Sequence, residues 1–156
     1  MGTLGSVVGP GLAQDLIKDT GSCSVQGVDY PADAAGNANM GASGGPKMAA
    51  LANQALKQCP DTKIILGGYS QGAMVVHNAL NSVDGSKIAA VTAFGDPMNG
   101  QTFKGVDDSK VVRYCGSSDF VCDMSGKTQG TGSHISYGSN LAEAASRLAQ
   151  IVGVKA

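Results

Sequence analysis

Short apolar segments alternate with amphipathic segments along this chain, and that alternation limits the folds open to it more than any other feature. Four apolar segments predict strands, and the last three carry the β-branched residues that suit a buried sheet: 24–28, 63–66, 87–94 and 110–114. Four segments with a helical spacing of apolar residues predict helices: 10–18, 46–58, 71–81 and 141–152. Asn140 followed by Glu143 predicts a capping box at the last of these helices. The expected fold is α/β, a three-layer sandwich with a mostly parallel central sheet flanked by helices and function at the carboxyl ends of the strands.

Length and composition indicate one globular domain. The 156 residues are 42% hydrophobic, which is ample for a core, so a single domain over residues 1–156 is expected. The net charge is −1 and no basic stripe is present, so a nucleic-acid partner is not expected. Apolar runs such as 88–91 are far too short to span a bilayer.

The cysteines bear on the compartment in which the protein works. There are four of them, Cys23, Cys59, Cys115 and Cys122, and no Cys-x-x-Cys pair is present. This pattern favours disulfides over a zinc site, with buried free thiols as the alternative. Disulfides form in oxidising compartments, so we expect a secreted, extracellular protein. No signal peptide is visible, and the expectation of export therefore rests on the cysteines alone.

The motif Gly68-Tyr69-Ser70-Gln71-Gly72 lies directly after one predicted strand and directly before a predicted helix. This is the context of a nucleophile elbow, a sharp turn that leaves no space for side chains at Gly68 and Gly72 and exposes the Ser70 hydroxyl. The backbone N–H of Gln71 would then be one donor of an oxyanion hole. The alternatives are an ordinary Gly-rich turn or a phosphate-binding loop, as in a flavodoxin-like binding module. The elbow does not carry the Gly-Lys-Ser/Thr that a nucleotide-binding loop requires.

Two histidines could serve as the base. His77 lies seven residues along the helix that begins at the elbow, which places it about 10 Å from Ser70 along the axis. A base must come within about 3 Å of the hydroxyl that it deprotonates. His77 is therefore interpreted as a helix-packing or surface residue. His134 lies in a Gly-rich loop before the last helix, and such a loop can carry a side chain over the strand ends.

Two aspartates that follow predicted strands compete for the role of the acid. Asp119 lies between Cys115 and Cys122, and a bridge between these two would close a small loop around it and hold it rigidly. Asp96 is followed at once by Pro97, which indicates a turn. Asp119 is therefore favoured, with Asp96 as the rival. The order of serine, aspartate and histidine along the chain is that of α/β-hydrolases.

Several stretches along nearly the whole chain resemble, in the same order, the cutinase family, which also includes acetylxylan esterases. The matching stretches are Val25-Gln26-Gly27-Val28, Cys59-Pro60-Asp61-Thr62, the elbow with Ala73, Phe94-Gly95-Asp96-Pro97, Asp119-x-Val121-Cys122, and His134 with Tyr137-Gly138. Together they are far more specific than the elbow alone.

The resemblance implies a small, lidless α/β-hydrolase that cleaves esters of cutin, polyesters, triglycerides or acetylated sugars through an acyl-enzyme, as a monomer and without metal or cofactor. It implies a triad of Ser70, Asp119 and His134, with Gln71 as a backbone oxyanion donor. Cys115 and Cys122 match the family's bridge around the acid. The remaining Cys23 and Cys59 are expected to pair with each other.

The start of the chain departs from the family pattern. Members normally begin with a further strand and an Ala-Arg-Gly-Ser/Thr-like segment, which supplies the second oxyanion donor. Here Met1-Gly2-Thr3-Leu4-Gly5 resembles the stretch that members carry immediately after that segment. An N-terminally short form with a half-built oxyanion hole and slow turnover is the resulting expectation. The alternative is a hydrolase fold that binds lipid or polymer without turnover.

Overall fold

Three parallel strands form the sheet of the structure, a computed structural model that describes residues 4–5, 7–31, 38–122 and 132–153. The strands are β1 (Ile65–Tyr69), β2 (Ala90–Phe94) and β3 (Val111–Tyr114), in the order β1-β2-β3. Leu66 pairs with Val91, and Val91 pairs with Val111. The three strands predicted at 63–66, 87–94 and 110–114 are confirmed. Their starts are later than predicted because short 3₁₀ turns at Gly85–Lys87 and Asp108–Lys110 precede two of them.

In the part of the chain that the structure describes, four helices cover the two faces of this sheet. They are α1 (Gly9–Thr20), α2 (Gly45–Gln58), α3 (Gln71–Ala79) and α4 (Leu141–Ile151). Helix α1 packs on α4, and α2 packs on α3. The four predicted helices are confirmed with shifts of one or two residues at their ends, and the α/β sandwich with its parallel sheet is confirmed as well.

The apolar side chains form two clusters, one on each face of the sheet. Successive side chains of β2 point to opposite faces of the sheet, so the strand contributes to both clusters. Val91 and Ala93 belong to the first cluster, and Ala90 and Phe94 belong to the second. Helices α2 and α3 complete the first cluster, and α1 and α4 complete the second. All five residues of β2 are buried, as expected of a strand covered on both faces.

The start of α4 differs from the prediction. Asn140 makes no side-chain hydrogen bond to the helix, and Glu143 accepts a hydrogen bond from the Tyr114 hydroxyl at 2.9 Å. The predicted capping box is therefore wrong. The physical reason is that the 3₁₀ turn Tyr137–Asn140 continues directly into α4, so Asn140 has a near-helical backbone (φ −102°, ψ −7°) instead of the extended one that a capping residue needs.

The segment predicted as a strand at 24–28 has no regular structure. Its Val25 is 42% exposed and contributes to neither apolar cluster. A strand exists only where a neighbouring strand satisfies its N–H and C=O groups, and a short run of apolar residues does not provide that neighbour.

The predicted bridge between Cys23 and Cys59 is contradicted, because both thiols are free. Cys23 follows α1 and packs against the second apolar cluster. Cys59 is exposed and caps α2, which packs on the first cluster. The two cysteines thus belong to helix pairs on opposite faces of the sheet. The matching bridge between Cys115 and Cys122 is present.

In the described part of the chain, no helix combines the length and the apolar character that crossing a bilayer requires.

Candidate active site

Ser70 occupies the turn that joins the end of β1 to the start of α3. Its backbone has a positive φ of 57° with ψ of −120°, which is uncommon for a residue with a side chain. Two hydrogen bonds hold this conformation: Ser70 N–H donates to the carbonyl of Phe94 at 2.9 Å, and Ala73 N–H donates to the carbonyl of Ser70 at 3.0 Å. Strain of this kind, held by the surrounding structure, is typical of a functional residue.

The two glycines of the elbow differ in how much space their surroundings leave for a side chain. A Cβ on Gly68 would lie 2.3 Å from the carbonyl oxygen of Gly72, so the prediction that Gly68 has no space for a side chain is confirmed. A Cβ on Gly72 would meet only the Tyr30 hydroxyl at 3.6 Å, which is an ordinary contact. The same prediction for Gly72 is therefore wrong, because this position in the first turn of α3 has room for a Cβ.

The structure brings Ser70, His134 and Asp119 together in one line of hydrogen bonds. His134 Nε2 lies 2.9 Å from Ser70 Oγ, and His134 Nδ1 lies 2.8 Å from Asp119 Oδ2. A carboxylate can only accept, so Nδ1 carries the imidazole proton and Nε2 is left to accept from the serine hydroxyl. This is the tautomer that a general base next to Ser70 must have.

Asp119 is fully buried, and its two oxygens are held by three donors. Oδ1 accepts from the N–H of Val121 at 2.9 Å, and Oδ2 accepts from His134 and from the Tyr137 hydroxyl at 2.5 Å. Burial by itself raises the pKa of Asp119, but these hydrogen bonds, the one from Tyr137 foremost, keep that pKa below its ordinary value. The carboxyl group is thus an anion at neutral pH.

His134 is oriented by a tyrosine of the elbow. The Tyr69 hydroxyl donates to the carbonyl oxygen of His134 at 2.7 Å, and its ring stacks on the imidazole with 5.0 Å between centroids. Gly95, with φ of 60°, makes room beside them, since a Cβ there would lie 2.8 Å from His134 Nδ1. No role for Tyr69 or Tyr137 was predicted from the sequence. Both lie in motifs that carry the family resemblance, which is the signal that could have found them.

The two residues rejected as base and acid form a pair of their own. His77 Nε2 lies 2.6 Å from Asp96 Oδ2, and the His77 ring stacks on Phe103 at 4.0 Å. Asp96 Oδ1 accepts the N–H of Met98 at 2.8 Å, so the predicted turn role of Asp96 is confirmed. The packing role of His77 is confirmed as well, because its side chain is only 7% exposed.

Gln71 is the first residue of α3 and follows Ser70 directly. Its backbone N–H therefore belongs to the first turn of a helix, where N–H groups point out along the axis and favour negative charge.

A parallel sheet flanked by helices, with a serine at a strand-to-helix elbow and a histidine and an aspartate beside it, defines the α/β-hydrolase class of fold. The sequence profile of the family described as Cutinase matches residues 1–151. Cutinase 4 of Emericella nidulans is 48% identical over 155 residues, which cover 99% of this chain and 67% of that protein. A cutinase of Botryotinia fuckeliana is 38% identical, over 98% of this chain and 78% of that protein.

Solved structures agree with the sequence comparisons. The structure of Trichoderma reesei cutinase in complex with a C11Y4 phosphonate inhibitor superposes with a TM-score of 0.86 at 36% identity, covering 97% of this chain and 71% of that one. A cutinase-like protein from Cryptococcus sp. shares the fold, with a TM-score of 0.73 at 21% identity over 94% of this chain and 86% of that one. The chain belongs to the cutinase family and is a serine carboxylic-ester hydrolase.

Proposed function

We propose that Ser70 is the nucleophile of this hydrolase, His134 its general base, and Asp119 the anion that orients the base. The observation that supports this assignment is the unbroken line of hydrogen bonds from Ser70 Oγ through the imidazole to the buried carboxylate. A base must lie within hydrogen-bonding reach of the hydroxyl that it deprotonates, and only His134 of the two histidines does so.

The reaction is acyl transfer in two halves. His134 Nε2 takes the Ser70 proton as Oγ attacks the ester carbonyl, and then delivers that proton to the leaving alcohol, which leaves an acyl-enzyme. A water molecule, deprotonated by His134, attacks the acyl-enzyme and releases the acid. Asp119 stays ionised throughout and stabilises the imidazolium that forms in each half.

The oxyanion of the tetrahedral intermediate needs hydrogen-bond donors on the far side of the carbonyl. We assign one of them to the backbone N–H of Gln71, because it is the first helical residue after the nucleophile. One such donor contributes about 100- to 1,000-fold to the rate.

We further propose that the substrate is a hydrophobic, water-insoluble ester such as cutin or a polyester. Phe120 is 82% exposed and follows Asp119, and Ile135 is 76% exposed and follows His134. Two large apolar side chains exposed next to the triad are suited to contact with the apolar surface of a polymer or lipid.

The proposed setting is extracellular, with the protein acting as a monomer and as a single domain over 1–156. The disulfide between Cys115 and Cys122 supports an oxidising compartment. All three side chains of the proposed triad come from one chain, so the site requires no partner subunit.

The test compares the wild type with Ser70→Ala on a soluble p-nitrophenyl ester, with phosphonate labelling followed by mass spectrometry. We expect the substitution to lower kcat by at least about 10,000-fold and to abolish labelling, as is usual for a serine nucleophile. Ser82→Ala, at an exposed serine after α3, is the matched control and should keep both the wild-type kcat and the phosphonate labelling. A Ser70→Ala variant that still turns over the ester would refute the assignment.

The proposed substrate class is tested in the same assay with a polyester film as the second substrate. Phe120→Ser is expected to lower release from the film several-fold more than hydrolysis of the soluble ester, because only the film presents an extended apolar surface. Ile17→Ser, at an apolar residue of α1 that is 44% exposed, is the control. Equal effects of Phe120→Ser on both substrates would contradict the proposal.

A further inference from the structure

The Tyr137 hydroxyl lies between the backbone of Gly116 and the carboxylate of Asp119. It is 3.0 Å from the Gly116 nitrogen and 2.5 Å from Asp119 Oδ2, and the residue is only 1% exposed. The Gly116 N–H can only donate, so the tyrosine oxygen accepts there. The single phenolic proton is then committed to Asp119.

Tyr137 and His134 both donate to the same oxygen. Asp119 Oδ2 accepts from the phenol and from His134 Nδ1, whereas Oδ1 accepts the N–H of Val121. The hydrogen bond from the phenol partly neutralises the negative charge on Oδ2, so Oδ2 attracts the imidazolium less strongly. The hydroxyl therefore stabilises the anion and at the same time weakens its hold on the proton of His134.

The ring of Tyr137 is fixed by the core. It packs edge-on against Tyr69 at 6.2 Å and against Phe94 at 5.9 Å between centroids. These contacts are made by the aromatic ring and need no hydroxyl. Removal of the hydroxyl alone therefore leaves the ring packing in place. It changes the hydrogen bonds to Asp119 and Gly116 and a 3.7 Å contact with Cys122 Sγ.

In the described part of the chain, the titratable side chains that face the Asp119–His134 pair are Tyr69 from β1 and Tyr137 from the turn before α4. Burial and then the charge of Asp119 raise the pKa of Tyr69, and burial followed by the hydrogen bond to Asp119 raises the pKa of Tyr137. Both phenols thus stay neutral donors while the enzyme works, and neither adds a titration of its own near neutral pH.

We propose that Tyr137 is a positioning residue of the esterase, whose hydroxyl holds Asp119 in place and lowers the strength with which Oδ2 stabilises a protonated His134. The proposal rests on the proposed role of Asp119. It assigns the hydroxyl two effects, one on rate and one on the pH at which the base becomes available.

The experiment is the pH dependence of kcat/KM for Tyr137→Phe on a soluble p-nitrophenyl ester. We expect the plateau to fall about 10-fold, the effect of one hydrogen bond to a charged group. The midpoint of the acidic limb should rise by roughly half to one pH unit, because His134 then holds its proton more tightly. Tyr114→Phe is the matched control, since it removes a phenol that donates to Glu143 away from the triad, and it should leave the midpoint unchanged.

A second variant covers the case in which Tyr137→Phe does not fold. Site-specific replacement of Tyr137 by 3-fluorotyrosine keeps the size and makes the phenol a stronger donor, so the midpoint should shift downward. An unchanged midpoint in both variants, or a lower rate that only follows the fraction of unfolded protein in thermal melts, would overturn the inference. A wild type that neither hydrolyses the ester nor takes up a phosphonate would instead overturn the proposed function.

Discussion

At the scale of single residues, the pair of His77 and Asp96 is the second buried histidine–carboxylate contact in the described part of the molecule. The side chains are 7% and 3% exposed, and they tie α3 to the turn after β2 through a 2.6 Å contact. Phe103 stacks on the imidazole and also lies under the Arg113 guanidinium, 4.7 Å from the ring centroid. The pair takes no part in the proposed chemistry, so its contribution is to stability.

His77→Ala is expected to destabilise the fold by about 3 kcal/mol, because it leaves the Asp96 carboxylate buried without its partner. Urea denaturation of both single variants and the double variant His77→Ala/Asp96→Ala measures the coupling, which should be of the order of 1–3 kcal/mol. Arg147→Ala is the control: it breaks an exposed pair with Glu143 at 3.9 Å and should cost less than about 0.5 kcal/mol. Losses that simply add in the double variant would contradict this account.

At the scale of elements, the connection of β1 to α3 determines where the nucleophile lies. The strand has to turn into the helix within one residue, and the backbone of the first helical turn then passes close to the end of the strand. At Gly68, a Cβ would lie 2.3–2.5 Å from backbone atoms of Gly72 and Ala73. Backbone atoms cannot rotate away as a side chain can, so the collision could be relieved only by moving α3 and Ser70 with it.

Gly68→Ala and Gly72→Ala are expected to have opposite effects. Gly68→Ala should destabilise the protein by at least about 2 kcal/mol and lower kcat more than about 100-fold, because it displaces the elbow. Gly72→Ala should raise stability by about 0.5–1 kcal/mol, because the residue is helical and its Cβ meets only the Tyr30 hydroxyl at 3.6 Å. Thermal unfolding measures the stability of the two variants, and steady-state kinetics measure their kcat. Equal changes in stability and kcat for both variants would show that the elbow is not tightly packed.

Features with local causes could be predicted from the sequence. Periodicity is sufficient to place three strands and four helices, and the rise of a helix is sufficient to separate His77 from Ser70. The capping box at Asn140 failed because the 3₁₀ turn before α4 gives that residue a near-helical backbone. The pairing of Cys23 with Cys59 failed because the sheet separates the helix pairs to which the two residues belong. The hydrogen bond from the Tyr137 hydroxyl to Asp119 was missed because the two groups meet only once the turn before α4 is folded.

At the scale of the whole molecule, the parallel sheet collects the residues of the site at one edge. Ser70 follows β1, Gly95 follows β2, and Asp119 lies in the disulfide-closed loop after β3. Parallel strands end on the same side, so groups from separate parts of the chain meet there without long loops. The two apolar clusters on either face hold the strands in register and thereby hold the distances within the site.

Among the residues that the structure describes, three carboxyl groups have lowered pKa values and link the stability of the fold to pH. Hydrogen bonds from the side chain and backbone of Ser86 lower the pKa of Asp84, and those from the backbone and side chain of Ser109 lower the pKa of Asp107. The pKa of Asp119 is also lowered, although its burial acts in the opposite direction. A folded-state pKa below the unfolded one means that the folded protein binds fewer protons. The groups therefore stabilise the fold above about pH 4, and this stabilisation is lost as the pH falls through their folded-state values.

We expect the free energy of unfolding in urea to be nearly constant from pH 7 to about pH 5 and to decrease steadily from there toward pH 2. Asp119→Asn should differ most from the wild type at neutral pH, and the difference should shrink as the pH falls, because a protonated Asp119 has no more charge than the amide. Asp84→Asn should change the profile less, since its carboxylate is exposed and screened by solvent. Parallel wild-type and Asp119→Asn profiles over the whole range would mean that Asp119 titrates alike in the folded and unfolded chains, and that its three hydrogen bonds do not favour the anion.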